Sequence, residues 1–255
     1  MKQIDVNADM GESFGRWTLG ADEKLIEHVS SVNIACGFHA GDWEVMSHTV
    51  ALAVKHRVAI GAHPSYPDLH GFGRRHMEMK ATEITQLVLY QVGALWAIAR
   101  AQGANIAHIK PHGALYNIAM RDEECAEAIA RGIKAFSKGV LVFCLPHSKL
   151  EIASEALGLK TCAEAFVDRR YEPNGSLVDR NIPGSILDVE TAVRQGLALA
   201  NGKVVARDGS TLELAIETLC LHGDGHHASA TAEALRKSLE AEGYVLASPK
   251  VTSDA

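Results

Sequence analysis

Short apolar segments that read as strands alternate with helical stretches from one end of the chain to the other, and nearly every strand runs into a polar cluster. Strands are expected at 3–8, 31–36, 58–62, 105–110, 140–145, 160–166 and 216–222. Helices are expected near 22–29, 42–56, 81–102, 122–137, 148–157, 188–201 and 228–242. In the third helix Ile84, Leu87, Val88, Gln91, Val92, Leu95 and Ile98 recur at helical spacing, and Gly103 suits the residue that closes it. The stretch 202–215 breaks the alternation and reads as a small hairpin around Asp208-Gly209. Such βα units imply a parallel sheet, here in one α/β domain spanning 1–255. An open sheet spreads its strand ends along a line, whereas a closed barrel gathers them on one mouth. The recurring polar ends therefore favour a (β/α) barrel of about seven parallel strands.

Composition narrows the function. With 25 Lys+Arg against 31 Asp+Glu the net charge is −6, which provides no electrostatic footprint for nucleic acid or an anionic membrane surface. The N-terminal residues lack the apolar core of a secretory signal, and no run approaches the ~18 apolar residues of a membrane span. Cys36, Cys125, Cys144, Cys162 and Cys220 are odd in number, with no C-x-x-C pair. Reduced thiols and a cytoplasmic location are expected. The tail from Ser248 to Ala255 is expected to fray.

The polar ends hold the chemistry. The first strand ends in Asn7-Ala8-Asp9-Met10-Gly11-Glu12, and the second in Asn33 and then Cys36-Gly37-Phe38-His39. The third ends in Gly61-Ala62-His63-Pro64-Ser65 and leads to Gly71-Phe72-Gly73-Arg74-Arg75. The fourth gives His108-Ile109-Lys110-Pro111-His112-Gly113, the sixth Glu164 and Asp168-Arg169-Arg170, the last His222-Gly223-Asp224. His39, His63, His112 and His222 each follow a strand beside Gly or Pro, residues that fix the backbone path and aim a side chain. One such histidine is more often structural; four in register point to a site.

The cluster supports two chemistries. Imidazoles with Asp9 can bind a divalent metal, but the H-E-x-x-H spacing is missing, so the metal stays open. The same groups can move protons near neutral pH. On that reading Asp9 and His112 carry the proton, His63 orients or shares it, and Lys110 stabilises an oxyanion. The bland alternative for Lys110 is a buried ion pair with Asp5 or Asp9. Arg74 and Arg75, helped by Arg169 or Arg180, suit a clamp for a carboxylate or phosphate; a plain surface loop is the alternative. Asn7, Glu12, Asn33, His39 and His222 complete the expected substrate-binding set. No G-x-x-x-x-G-K-[ST] loop and no G-x-S-x-G elbow occurs.

In order along nearly the whole chain, the segments from Asp5 to Glu12, Asn33 to Asp42, Gly61 to Asp68, Gly71 to Arg75, Lys110 to Tyr116, Glu164 to Tyr171, Leu177 to Arg180 and Cys220 to Asp224 resemble the LamB/YcsF family. One departure is Gly225-His226-His227, where the family has a short apolar or Pro-containing turn; it leaves the roles of His226 and His227 open. The resemblance implies a distorted barrel related to polysaccharide-deacetylase-like barrels. It implies the activity of the A subunit of bacterial ATP-dependent 5-oxoprolinase, which converts 5-oxo-L-proline (pyroglutamate) to L-glutamate with partner subunits B and C. ATP is then a co-substrate, with Mg²⁺ expected at the partners. A lactam is a resonance-stabilised amide, and phosphorylating its oxygen makes the ring carbon electrophilic. The rival readings are a stand-alone metal-dependent deacetylase or amidohydrolase of the same fold, and a non-catalytic carrier of a small acid.

Overall fold

The computed structural model describes residues 2–225 and 227–250. Seven parallel strands close into a barrel: β1 (Lys2–Met10), β2 (Ser31–Ala35), β3 (Ala59–His63), β4 (Ile106–Ile109), β5 (Leu141–Cys144), β6 (Lys160–Phe166) and β9 (Thr218–Leu221). Closure is made by β9, which pairs with β6 on one side and with β1 on the other. The hairpin expected at 202–215 is present as antiparallel β7 (Lys203–Val205) and β8 (Thr211–Glu213). A three-residue strand, β10 (Tyr244–Leu246), extends β1 at Lys2–Ile4; it is too short to leave a periodic signal.

The helices follow the expected order: α2 (Trp43–His56), α3 (Ala81–Ala101), α5 (Glu123–Phe136), α6 (Lys149–Ala156), α7 (Val189–Ala200) and α8 (Ala228–Ala241). Asp42, Asp122, Ser148 and Asp188 cap four of them through side-chain oxygens. Two local readings change. The segment 22–29 is only a four-residue α1 (Asp22–Leu25) running into a 3-10 turn at Ile26–His28. A further short helix, α4 (Gly113–Ala119), begins directly after His112.

Side chains alternate across each strand, so one face of a barrel strand meets the helices and the other faces the barrel axis. Outward-facing Ile4, Val6, Ala8 and Met10 of β1, with Val32, Ile34, Ile60 and Leu219, join one large apolar core beneath the helices. The interior differs. Its far end is plugged by a separate cluster of Leu141, Phe143 and Cys162. The rest is polar: Asp5, Asn7, Asp9, Ser31, Asn33, His63, His108, Glu164 and Thr218 are all buried. His108 lies flat on Phe143 with ring centroids 4.0 Å apart, and its Nε2 donates to Asn33 Oδ1 at 2.7 Å. Gly61 faces this ring, and a Cβ there would overlap the imidazole. Gly61→Ala should therefore lose ~1–3 kcal/mol of stability in chemical denaturation, as overpacked cores do. An unchanged midpoint would show that His108 can move aside freely.

Candidate active site

The polar interior is one connected network. Asp5 at its lower end accepts hydrogen bonds from Ser30, Ser31 and Thr218 at 2.6–2.8 Å. Asn7 donates to Glu164 at 3.0 Å and to Thr218 at 2.7 Å, and its Oδ1 accepts from Asn33 at 2.7 Å. Asn33 also donates to Asp9 at 2.9 Å. Lys110 Nζ sits in the middle, 2.9 Å from Glu164, 3.2 Å from Asp9 and 2.8 Å from Cys220 Sγ. Tyr116 donates to the other Glu164 oxygen at 2.8 Å. Lys110 donates to Asp9, Cys220 and Asn7 Oδ1 and forms an ion pair with Glu164, so it is the counter-ion of Asp9 and Glu164, and Asp5 is not its partner. Burial by itself would lower Lys110 and raise Asp9. The opposed charges outweigh burial, holding Lys110 well above its usual range and Asp9 well below.

Above this network three imidazoles meet. His63 Nδ1 donates to the Lys110 carbonyl at 2.7 Å, and His112 Nε2 to the Phe72 carbonyl at 2.9 Å. His39 Nδ1 donates to Ser65 Oγ at 2.9 Å, while that hydroxyl donates to the Tyr66 carbonyl. Each outward nitrogen is thus protonated, and each inward nitrogen presents a lone pair. His63 Nε2 and His112 Nδ1 face each other at 2.9 Å. Two lone pairs converging this closely make a seat for an electrophile, a proton or a cation, while burial and then His39 hold the His112 imidazole well below its usual range. Asp9 Oδ1, 3.4 Å from His63 Nε2, supplies the balancing charge. Glu12 lies 3.4 Å from His39 Nε2, and burial followed by the Asp9 charge pushes its carboxyl well above the usual range.

The loop 71–75 that seats His112 needs its glycines. Phe72 and Gly73 both have positive φ, at 55° and 65°. A Cβ on Gly73 would come within 2.9 Å of both His39 and His112.

Glu12, His39, His63 and His112 offer four ligand atoms that all lie within 4.8 Å of one another. Three imidazoles and a carboxylate, with the outer nitrogens fixed by carbonyls and a hydroxyl, fit a divalent transition-metal ion. His39 and His112 stack in parallel, 3.7 Å apart and inclined by 6°. Their lone pairs lie in parallel planes, and binding one ion requires a ring to tilt.

A cavity of about 830 Å³ opens over this floor. Asp9, His63, Lys110, His112, Arg74, Arg75, Arg169, Arg180 and His222 line it. Asn7, Asn33, Glu12 and His39 do not; they stand behind the floor and hold it. Arg75 is committed to Asp68 through Nε at 3.0 Å and a further contact through Nη2. Arg74 pairs with Asp224 at 2.6 Å. His222 Nδ1 donates to Asp168 at 2.9 Å, which turns Nε2 toward the cavity. Burial holds His222 below its usual range, so that nitrogen is unprotonated at neutral pH. His227 is exposed at the start of α8, and His226 lies outside the described residues.

Sequence reasoning overlooked Asp168, Glu164, Tyr116 and His108 as partners. The polar alternation Asp5-Asn7-Asp9, Ser31-Asn33 and Thr218-Cys220-His222 was the available signal, because an apolar barrel interior would not carry it.

All five cysteines are buried and unbridged. No helix among the described residues is long and apolar enough to cross a membrane.

Comparison with known proteins agrees with this architecture over its full length. A Methylococcus capsulatus protein described as the A subunit of 5-oxoprolinase is 51% identical over 248 residues, covering 96% of this chain and 95% of that protein. A Chloroflexus aggregans protein with the same description is 50% identical and covers 98% of this chain and 100% of its own length. The crystal structure of the lactam utilization protein from Thermus thermophilus superposes with a TM-score of 0.91 at 44% identity, over 96% of this chain and 99% of that one. The model of the LamB/YcsF family matches residues 4–253. With the sequence match, the strand order and the relatives in agreement, the chain belongs to the LamB/YcsF family.

Proposed function

We propose that this chain is the A subunit of an ATP-dependent 5-oxoprolinase and carries out the hydrolytic half of the reaction, while partner subunits B and C phosphorylate the lactam. The full-length likeness to proteins so described carries this reading.

Transfer of a phosphoryl group from ATP to the lactam oxygen, with loss of the nitrogen proton, gives ADP and a cyclic imidoyl phosphate. Water then adds to the ring carbon, giving up a proton to His222 Nε2, which Asp168 orients through Nδ1. The resulting adduct can expel phosphate, which restores the lactam and wastes the ATP, or expel nitrogen, which opens the ring. Protonating the nitrogen selects the second path. A proton taken up between His63 Nε2 and His112 Nδ1, beside Asp9, would reach the nitrogen from the cavity floor. With the proton held by His222 also passed to the nitrogen and the adduct's hydroxyl giving up its own, breaking the C–N bond leaves an acyl phosphate and a free amine; a second water then releases phosphate and the carboxylate. Asp9 stays ionised against its burial, held so by the charges of His63 and Lys110, and favours a proton on the pair. A divalent metal, where bound, would be held by Glu12, His39, His63 and His112 in place of that proton and would polarise an oxygen as a Lewis acid.

Purified chain, alone and with candidate B and C subunits, should be assayed for glutamate and phosphate release from 5-oxo-L-proline and ATP. Release of both products only with ATP and partners is expected. Lactam or acetamide hydrolysis by the chain alone, independent of ATP and lost on chelation, would replace this reading by that of a metal-dependent amidohydrolase.

A further inference from the structure

Two guanidiniums in the cavity wall have no acid within ion-pair distance among the described residues, although the charges of Asp168 and Asp224 reach them. Arg169, just beyond β6, is only 4% exposed. Its Nη2 donates to the Val178 carbonyl at 2.6 Å, while its Nε is buried without a partner. Arg180, half-buried on the same wall, makes no side-chain hydrogen bond or ion pair among the described residues. The nearby acids are engaged elsewhere: Asp168 with His222, and Asp224 with Arg74. The three arginines are close enough to act on each other. Burial, then Arg180 and Arg74 among its neighbours, pulls Arg169 down to about 10, and burial and Arg74 lower Arg180 in the same way.

A buried cation with no partner is unfavourable. Two of them facing one cavity make a site for an anion that brings more than one charge. Each guanidinium presents a planar fork that matches two oxygens. A carboxylate has one negative charge and two oxygens, and satisfies one fork. A phosphoryl dianion has three peripheral oxygens and engages both forks and the open Nε.

We propose that Arg169 and Arg180 form the seat that grips the phosphoryl group of the phosphorylated lactam while its ring carbon is hydrolysed. The class of reaction that supplies it is phosphoryl transfer onto an amide, performed outside this seat. The inference deepens the lactam reading above and rests on it for the identity of the amide. Holding the phosphoryl group in the wall fixes the ring carbon between His222 and the His63/His112 pair, which share the same cavity.

The test uses the whole chain and calorimetric titration with inorganic phosphate, acetate and a non-hydrolysable ATP analogue. Phosphate should bind more tightly than acetate, and more tightly than or equally with the analogue. Arg180→Gln and Arg169→Gln should each weaken phosphate roughly 10–100-fold, the range for lost charge-assisted hydrogen bonds. Arg131→Gln, which removes an exposed arginine on α5, should not. A second readout separates a binding seat from a structural role. Arg180→Gln should raise the thermal midpoint of the ligand-free protein, because an unpaired cation is removed, and should abolish the stabilisation that phosphate gives the wild type. Acetate binding as well as phosphate would overturn the seat in favour of a carboxylate clamp. An analogue that binds far more tightly than phosphate, with the same arginine dependence, would overturn it in favour of a nucleotide subsite. Phosphate binding without 5-oxoproline turnover would leave the seat standing and fail the lactam reading; turnover without phosphate binding would do the reverse.

Discussion

Asp9→Asn and His112→Ala should each lower kcat by ~10²–10⁴ in the reconstituted reaction, the usual share of general acid–base catalysis. The two act through one proton. His63 Nε2 lies 2.9 Å from His112 and 3.4 Å from Asp9, so a proton taken up by the imidazole pair is stabilised by the carboxylate. A neutral amide in place of the Asp9 carboxylate would leave a charged pair buried without balance, and the pair would release its proton. Removing the His112 ring leaves His63 with its lone pair on the cavity and nothing to share a proton with. Each change therefore abolishes the same acid, and the double variant should be barely slower than either single one. Circular dichroism and partner binding check that each variant is folded. Additive losses, or near-wild-type kcat in either folded variant, would remove the pair from the mechanism.

A different effect is expected of His222→Ala. If that ring accepts the proton of the attacking water, its loss should lower kcat and leave unproductive ATP turnover lowered equally, because both begin with the same adduct. Loss of the His63/His112 acid should instead lower glutamate release more than phosphate release, since the adduct can still expel phosphate. The ratio of the two products thus distinguishes base from acid.

The architecture was legible because a parallel barrel writes itself into a sequence twice. Its outer strand faces supply Val, Ile, Leu and Ala under the helices, and its strand ends carry the polar residues that converge on one mouth. The strand carrying Asp5, Asn7 and Asp9 shows both, with Val6 and Ala8 between them and Ile4 before. The site was legible as a set of residues and not as a set of contacts. Nothing local in the sequence ties Lys110 to Cys220 and Glu164, because the barrel closes through β9 and joins positions far apart in the chain. The same closure sets Asp168 against His222. Arg74 and Arg75 are adjacent and chemically alike, yet one turns to Asp224 over the cavity and the other to Asp68 within its own loop. Backbone conformation at Phe72 and Gly73 decides which does which, and composition does not encode it.

Lys110→Met should destabilise the fold by ~3–5 kcal/mol, the cost of breaking a buried ion pair from one side. The ammonium is 2% exposed and serves two carboxylates, Asp9 and Glu164, that are buried as deeply as it is. Methionine fills much of the same volume, so packing changes little and the effect isolates the charge. Both carboxylates then lose their ammonium counter-ion in a low-dielectric interior, Asp9 keeping only His63 at 3.4 Å, and are pushed toward their protonated forms. The pH dependence should therefore change sign. In the wild type Asp9 is held well below its usual range, so its stabilisation is complete above the unfolded-state value of ~3.9 and fades as pH falls below it. In Lys110→Met the native state binds more protons than the unfolded one, and stability should fall as pH rises from ~4 toward neutrality. Denaturation midpoints of both proteins between about pH 4.5 and 7.5 test this. The variant should approach wild-type stability at the acid end and depart from it at the neutral end. Adding Glu164→Gln to Lys110→Met should recover part of the loss, because one of the two stranded charges is gone. A pH-independent deficit, or no recovery in the double variant, would mean that Lys110 stabilises the barrel by packing and not as the counter-ion that keeps Asp9 charged.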